Sequence, residues 1–232
     1  MLPALVFGLI GSSALVLGSA VGSFWRPPVR LSAVLLAFAS GTLISALAFE
    51  LFPAAVELGG LWPAGLGLLA GAAAFVLVDT WLDARVSKRA GEVGFALLAA
   101  VTLDGVPENL ALGVSLLADG GSLTLLVAIF ASNLPEALVG AGEMRRSGKS
   151  RAFTIGIWAL AAVLLTAAVV VGRVLLARVA MRHLAFPLAF AGGAVLASLA
   201  DTLMPEAFEH GRPLNALATA AGFFLSFVLA GG

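Results

Sequence analysis

Residues 97–118 read LLAAVTLDGVPENLALGVSLLA, and residues 126–144 read LVAIFASNLPEALVGAGEM. Both are apolar stretches carrying the skeleton Pro-Glu-x-Leu, as Pro107-Glu108 in the first and Pro135-Glu136 in the second. Asp104 precedes Glu108 by one helical turn, and Ser132 precedes Glu136 by the same interval. Side chains so spaced share a helix face. An ionisable group at bilayer depth is costly and is retained where it faces a partner, an ion or water. Acids and polar groups clustered in two neighbouring apolar stretches therefore point to a cation site.

The rest of the chain explains why these stretches are read against lipid. It is 61% hydrophobic and only 11% charged, a balance outside the range of soluble domains. Glycine is abundant, which suits close helix packing in a membrane. With no cysteine, thiolate metal ligation, disulfides and redox thiol chemistry are excluded. The formal net charge of zero argues against a nucleic-acid partner. Arginine outnumbers lysine and alanine is common, which hints at a GC-rich bacterial genome. The first apolar run, Leu2 to about Phe24, has no basic residue before it and is too long for a signal core, so it reads as a spanning helix.

A span needs about 20 mostly apolar residues. Breaking the chain at charged and Pro/Gly clusters gives eight such runs, starting near Leu2, Ser32, Leu61, Val93, Ser122, Phe153, Leu184 and Pro213. No break is long enough for a soluble domain, so residues 1–232 form a single transmembrane domain in this reading. The basic residues set the orientation. With the N-terminus outside, Arg26, Arg30, Arg85, Lys88, Arg89, Arg145, Arg146, Lys149, Arg151 and Arg212 fall inside, and only Arg173, Arg178 and Arg182 outside. Both termini are thus expected outside a bacterial cytoplasmic membrane. The group from Arg145 to Arg151 reads as an inner loop attracted to anionic lipid.

Two further segments correspond. ASGTLISALAFELFPAA (39–55) aligns with AGGAVLASLADTLMPEA (191–207), matching Gly41 to Gly193 and Pro53 to Pro205. In that register the first three runs overlie the last three in opposite orientation, and runs four and five form their own pair. The expected architecture is an all-α membrane protein of eight helices in a 3+2+3 inverted repeat. Inverted repeats with Pro/Gly-interrupted helices mark secondary transporters, with the site at the repeat interface.

At that interface, Asp104, Glu108 and Glu136 would bind one divalent cation, assisted by Ser132, Asn133 or Asn109. Proline removes a backbone hydrogen bond and kinks a helix, freeing carbonyl oxygens near Asp104 and Ser132 as further ligands. Protonated, hydrogen-bonded carboxyls account for one buried acid but poorly for three at one depth. A proton relay is the better rival.

These residues carry a family resemblance. The ZIP (Zrt/Irt-like) metal transporters have eight spans, outside termini and a 3+2+3 inverted repeat. Their fourth span bears His-Asn-x-Pro-Glu-Gly and their fifth a polar pair before x-Pro-Glu. Here the segments read Asp104-Gly105-Val106-Pro107-Glu108-Asn109 and Ser132-Asn133-Leu134-Pro135-Glu136. The resemblance implies that Glu108 and Glu136 are metal ligands, that Asp104 stands at the histidine position, and that Ser132 and Asn133 are the polar pair. It further implies import of Zn²⁺, Mn²⁺ or Fe²⁺ as substrate, no enzymatic activity, and a homodimer. The chain departs from the family in having no histidine at a span centre, Gly105 for asparagine, and no acid in run six. One oxygen-only site remains, which favours harder ions than imidazole does. A degenerate or proton-relay relative without metal transport is the alternative.

Other acids are candidates for the pathway. Glu50 and Asp201 stand between lining a route and reaching interfacial water; Asp79 reads as a helix-end acid. Glu206 and His210 share a face and would receive a departing ion, or form a solvated helix end with Glu209. Trp25, Trp62 and Trp81 read as interfacial anchors. Nucleotide-binding motifs, a His-bearing zinc-protease motif and a hydrolase triad are absent from the sequence.

Overall fold

A computed structural model of the chain describes residues 1–25, 27–86, 93–118 and 122–229, apart from side chains 82, 83, 85, 86, 93–101, 103, 104 and 118. The described residues are helical, with no strand among them. In chain order the helices are α1 (Leu2–Phe24), α2 (Val29–Ala46), α3 (Phe52–Gly59), α4 (Leu61–Val86), α5 (Val93–Ala118), α6 (Leu123–Arg146), α7 (Arg151–Leu176), α8 (Ala185–Ser198), α9 (Met204–Gly211) and α10 (Leu214–Leu229). A π-helical turn, Leu47–Leu51, joins α2 to α3, and another, Leu199–Leu203, joins α8 to α9.

Among the described residues, six helical stretches are long and apolar enough to cross a membrane: Leu2–Phe24, Val29–Gly59, Leu61–Trp81, Leu123–Arg146, Arg151–Leu176 and Met181–Gly211. The apolar helix α10 is shorter, at 16 residues. Leu9, Leu69, Leu77, Val163, Leu175, Leu217 and Phe224 are exposed on these helices. In water such a surface would drive aggregation, whereas in lipid it needs no cover. This is an all-α integral membrane protein.

Local chemistry starts and stops the helices. The Ser122 hydroxyl accepts from the Leu125 N–H at 3.0 Å and so caps α6; Ser150 caps α7 through the Phe153 N–H. Gly60, at φ +88°, ends α3 in a backbone conformation that other residues resist. Helices α5 and α6 run unbroken through Pro107 and Pro135, which sequence alone expected to interrupt them. The interruptions lie instead at the π turns, immediately before Phe52-Pro53 and Met204-Pro205.

The packing pairs occur in matching sets. Helix α2 lies on α10 and α8 on α4; α1 lies on α6 and α7 on α5. The contacts α2–α6 and α5–α8 match in the same way, as do α2–α9 and α3–α8. Glycine makes each close approach. A methyl at Gly41 would run into the Thr219 carbonyl oxygen of α10, and one at Gly193 into the Leu68 carbonyl oxygen of α4. Gly22 meets the Leu138 carbonyl oxygen, and Gly172 that of Leu110. Leu110 and Leu138 stand in the register that matches Pro107 to Pro135. The π turns also fall in the register that matches Gly41 to Gly193.

Candidate functional site

Helix α5 packs on α7 and α8 and touches α6. This enclosure leaves Glu108 only 6% exposed and Asn109 fully buried. The Asn109 amide donates through Nδ2 to the Gly105 carbonyl at 2.8 Å. Its Oδ1 has no hydrogen-bond partner among the described residues. A buried polar atom left unsatisfied costs about 1–3 kcal/mol, so this oxygen is an acceptor that the described residues leave open to a ligand. Glycine at 105 also has a steric basis: a Cβ there would stand 2.6 Å from Cδ1 of Leu165 on α7. An asparagine at this position would compete with Leu165 for space. The backbone of Asp104 lies in α5, but its side chain falls outside the described residues.

Helix α6 presents the second group. Ser132 and Asn133 are each 2% exposed, and Glu136 is half-buried. The Ser132 hydroxyl donates to the Ile129 carbonyl at 3.0 Å, leaving its oxygen lone pairs available. Asn133 Nδ2 has no partner among the described residues. That end of the amide is a hydrogen-bond donor; its carbonyl oxygen is the group that would face a cation. The donor set is therefore two carboxylates, a hydroxyl and two carboxamides. Among the described residues no three Asp, Glu or His side chains are grouped closely enough to hold a metal ion. Asp104 is not part of that count.

Two cavities are lined in part by residues further along α5 and α6. One, of about 130 Å³, lies between the first π turn, α5 and α6, and is lined by Glu50, Ala54, Ser115 and Ser122. The other, of about 200 Å³, is lined by Glu143, Arg146, Glu206 and His210. Ser115 stands two turns beyond Glu108 on α5, and Glu143 two turns beyond Glu136 on α6. Ala54 and Glu206 likewise occupy matching places after Pro53 and Pro205. The two cavities thus share two corresponding wall positions, with different chemistry at each. Glu143 forms an ion pair with Arg146, whose guanidinium also donates to the Pro27 carbonyl at 3.2 Å. Glu50 accepts from the Ser122 hydroxyl at 2.8 Å.

Glu206 and His210 share one cavity, as their spacing predicts, and Glu50 lines the other. Asp201 is exposed on its π turn and lines neither. Ser115, Ser122 and Glu143 did not emerge from the sequence as functional positions. The two-turn stripe running on from each Pro-Glu pair finds Ser115 and Glu143, while Ser122 carries only the signal of a helix cap. Trp25, Trp62 and Trp81 are exposed, as anchors would be. Trp158 instead is a core residue, 1% exposed against Leu15, Ala137, Met144 and Leu165.

The chain matches no family model and no curated protein.

Proposed function

We propose that this protein moves divalent transition-metal cations across the membrane, toward the cytoplasm, through a centre built on α5 and α6. In this reading the eight helical stretches are eight spans, arranged as a ZIP-like 3+2+3 inverted repeat with both termini outside. The observation that carries the proposal is the pair Glu108 and Asn109: a buried carboxylate beside a fully buried amide whose Oδ1 has no partner among the described residues. A proton relay would use the carboxylate but leave that oxygen unexplained, because an amide oxygen does not titrate. A hard cation uses both. Ser132, Asn133 and Glu136 supply matching oxygen donors from α6, and Asp104 completes the set on α5.

Further support comes from the matched packing pairs and from the two cavities that share corresponding wall positions. In a transporter of inverted repeats, a central site is served from two related sides. Glu50 at one end, and Glu206 with His210 at the other, then belong to the route; Asp201 stands off it. The test is uptake of Mn²⁺, Zn²⁺ and Fe²⁺ into proteoliposomes of the purified protein, with Glu108→Ala and Glu136→Ala as controls. Each variant should insert normally and lose uptake. Full uptake by either one would remove the proposed centre.

A further inference from the structure

Two cavities share corresponding wall positions, and one of them carries a side-chain hydrogen bond between the first π turn and the cap of α6. Glu50 sits in the π turn after α2, and Ser122 is the first polar group of α6. The bond between them, 2.8 Å from Ser122 Oγ to Glu50 Oε2, joins two walls of the 130 Å³ cavity. Ser122 is held in place for this task. Its oxygen accepts from the Leu125 N–H, so its proton is the part left to give. Its own N–H reaches the Ser115 hydroxyl at 3.4 Å, and Ser115 bonds back to the Leu112 carbonyl.

At the other end, the residue in the register of Glu50 is Thr202, whose hydroxyl turns back to Ser198 of its own helical stretch. The cavity there is larger, about 200 Å³. Among the described residues the Glu50 end is thus joined through Glu50 and Ser122, and the Glu206 end by a different contact, from Arg146 to the Pro27 carbonyl. Where alternating access exchanges the conformations of two related halves, the contact made in one half only is the one that must break.

We propose that Glu50 and Ser122 form a cation-released latch on the cavity between the first π turn, α3, α5 and α6. A divalent cation reaching the cavity takes the Glu50 carboxylate, Ser122 loses its acceptor, and the α2–α6 seam opens above Ser115. The π turn suits this movement, since such wide turns interrupt regular hydrogen bonding and recur at functional sites. The purpose of the latch rests on the transport reading above; its measurement does not.

The chain has no cysteine, so a single Ala54→Cys reporter in the cavity wall is the only thiol present. The experiment measures its labelling rate by a membrane-impermeant maleimide, in proteoliposomes, with and without Mn²⁺. Two variants break the latch while keeping a capped α6: Glu50→Ala leaves Ser122 intact, and Ser122→Asp caps as serine does but cannot donate to Glu50. A hydrogen bond to a charged group is strong enough that each should raise labelling about tenfold or more. Ser122→Thr, which keeps cap and donor, should label as slowly as the parent. Mn²⁺ should speed labelling of the parent and leave Glu50→Ala unchanged. Unchanged labelling in either latch-breaking variant, or a Mn²⁺ response that survives Glu50→Ala, overturns the latch. Absence of ion uptake by the parent, with labelling as predicted, would overturn transport and leave the latch standing.

Discussion

Replacing Asn109 with leucine separates a structural amide from a ligand. Leucine has the same branched heavy-atom skeleton, so the fully buried site is refilled without a large change in shape. The substitution removes the Nδ2 bond to the Gly105 carbonyl, worth about 0.5–1.5 kcal/mol. It also removes the unpartnered Oδ1, which costs the ion-free protein about 1–3 kcal/mol. Leucine further favours helix over asparagine by a few tenths of a kcal/mol. Without ion, Asn109→Leu should therefore unfold at the same midpoint as the parent or higher, by up to about 2 kcal/mol. With ion the order reverses. At a hundred times its dissociation constant, a ligand stabilises the folded state by about 2.7 kcal/mol. The parent should show that gain with Mn²⁺, and the variant less than half of it. Thermal unfolding in detergent after chelation, then with Mn²⁺ restored, measures both terms. If ion-free Asn109→Leu loses more than about 2 kcal/mol, or keeps the full Mn²⁺ gain, Oδ1 is not a reserved ligand.

Four other outcomes are expected. Gly41→Ala and Gly193→Ala should each lose about 1–3 kcal/mol in the same unfolding assay, because each new methyl meets backbone of a facing helix. Gly156→Ala, with nothing within 4 Å of its Cβ, should match or exceed the parent. Asp104→His should shift uptake toward Zn²⁺ relative to Mn²⁺ in competition assays, since imidazole is the softer donor; an unchanged ratio removes Asp104 from the ligand set. A cysteine at Ser147 should react from the inside face of oriented vesicles, and reaction only from outside would defeat the proposed orientation.

The helical stretches were legible because lipid exposure demands long apolar runs, and the runs beginning at Leu2, Leu61 and Val93 start where α1, α4 and α5 do. The correspondence of Gly41 with Gly193 was legible too, and the structure gives it a cause: both glycines admit a backbone carbonyl of another helix. The π turns were not legible. They follow from how two successive segments pack against different neighbours, and Leu47–Leu51 carries no residue that demands a wide turn. Prolines misled for a related reason. Inside a bundle, surrounding helices and polar side chains carry a helix across a missing bond, as at Pro107 and Pro135. The buried status of Glu108 and Asn109 was anticipated from their depth in the run. The latch was not, because Glu50 and Ser122 are far apart in the chain and only tertiary packing joins them.

The π turns have one more consequence. Each adds a residue without adding a turn, so every side chain beyond it is rotated by about 100° relative to an uninterrupted α-helix. The stretch Val29–Gly59 thus has two phases: α2 addresses α10, α6 and α9, while α3 addresses α8 and α4. Deleting one residue from Leu47–Leu51 would leave an ordinary helix of nearly the same length, with the apolar face of α3 turned away from α8 and Glu50 swung off Ser122. The extra residue is a phase shifter, and it lets a single rod satisfy two sets of neighbours that no one stripe can face at once.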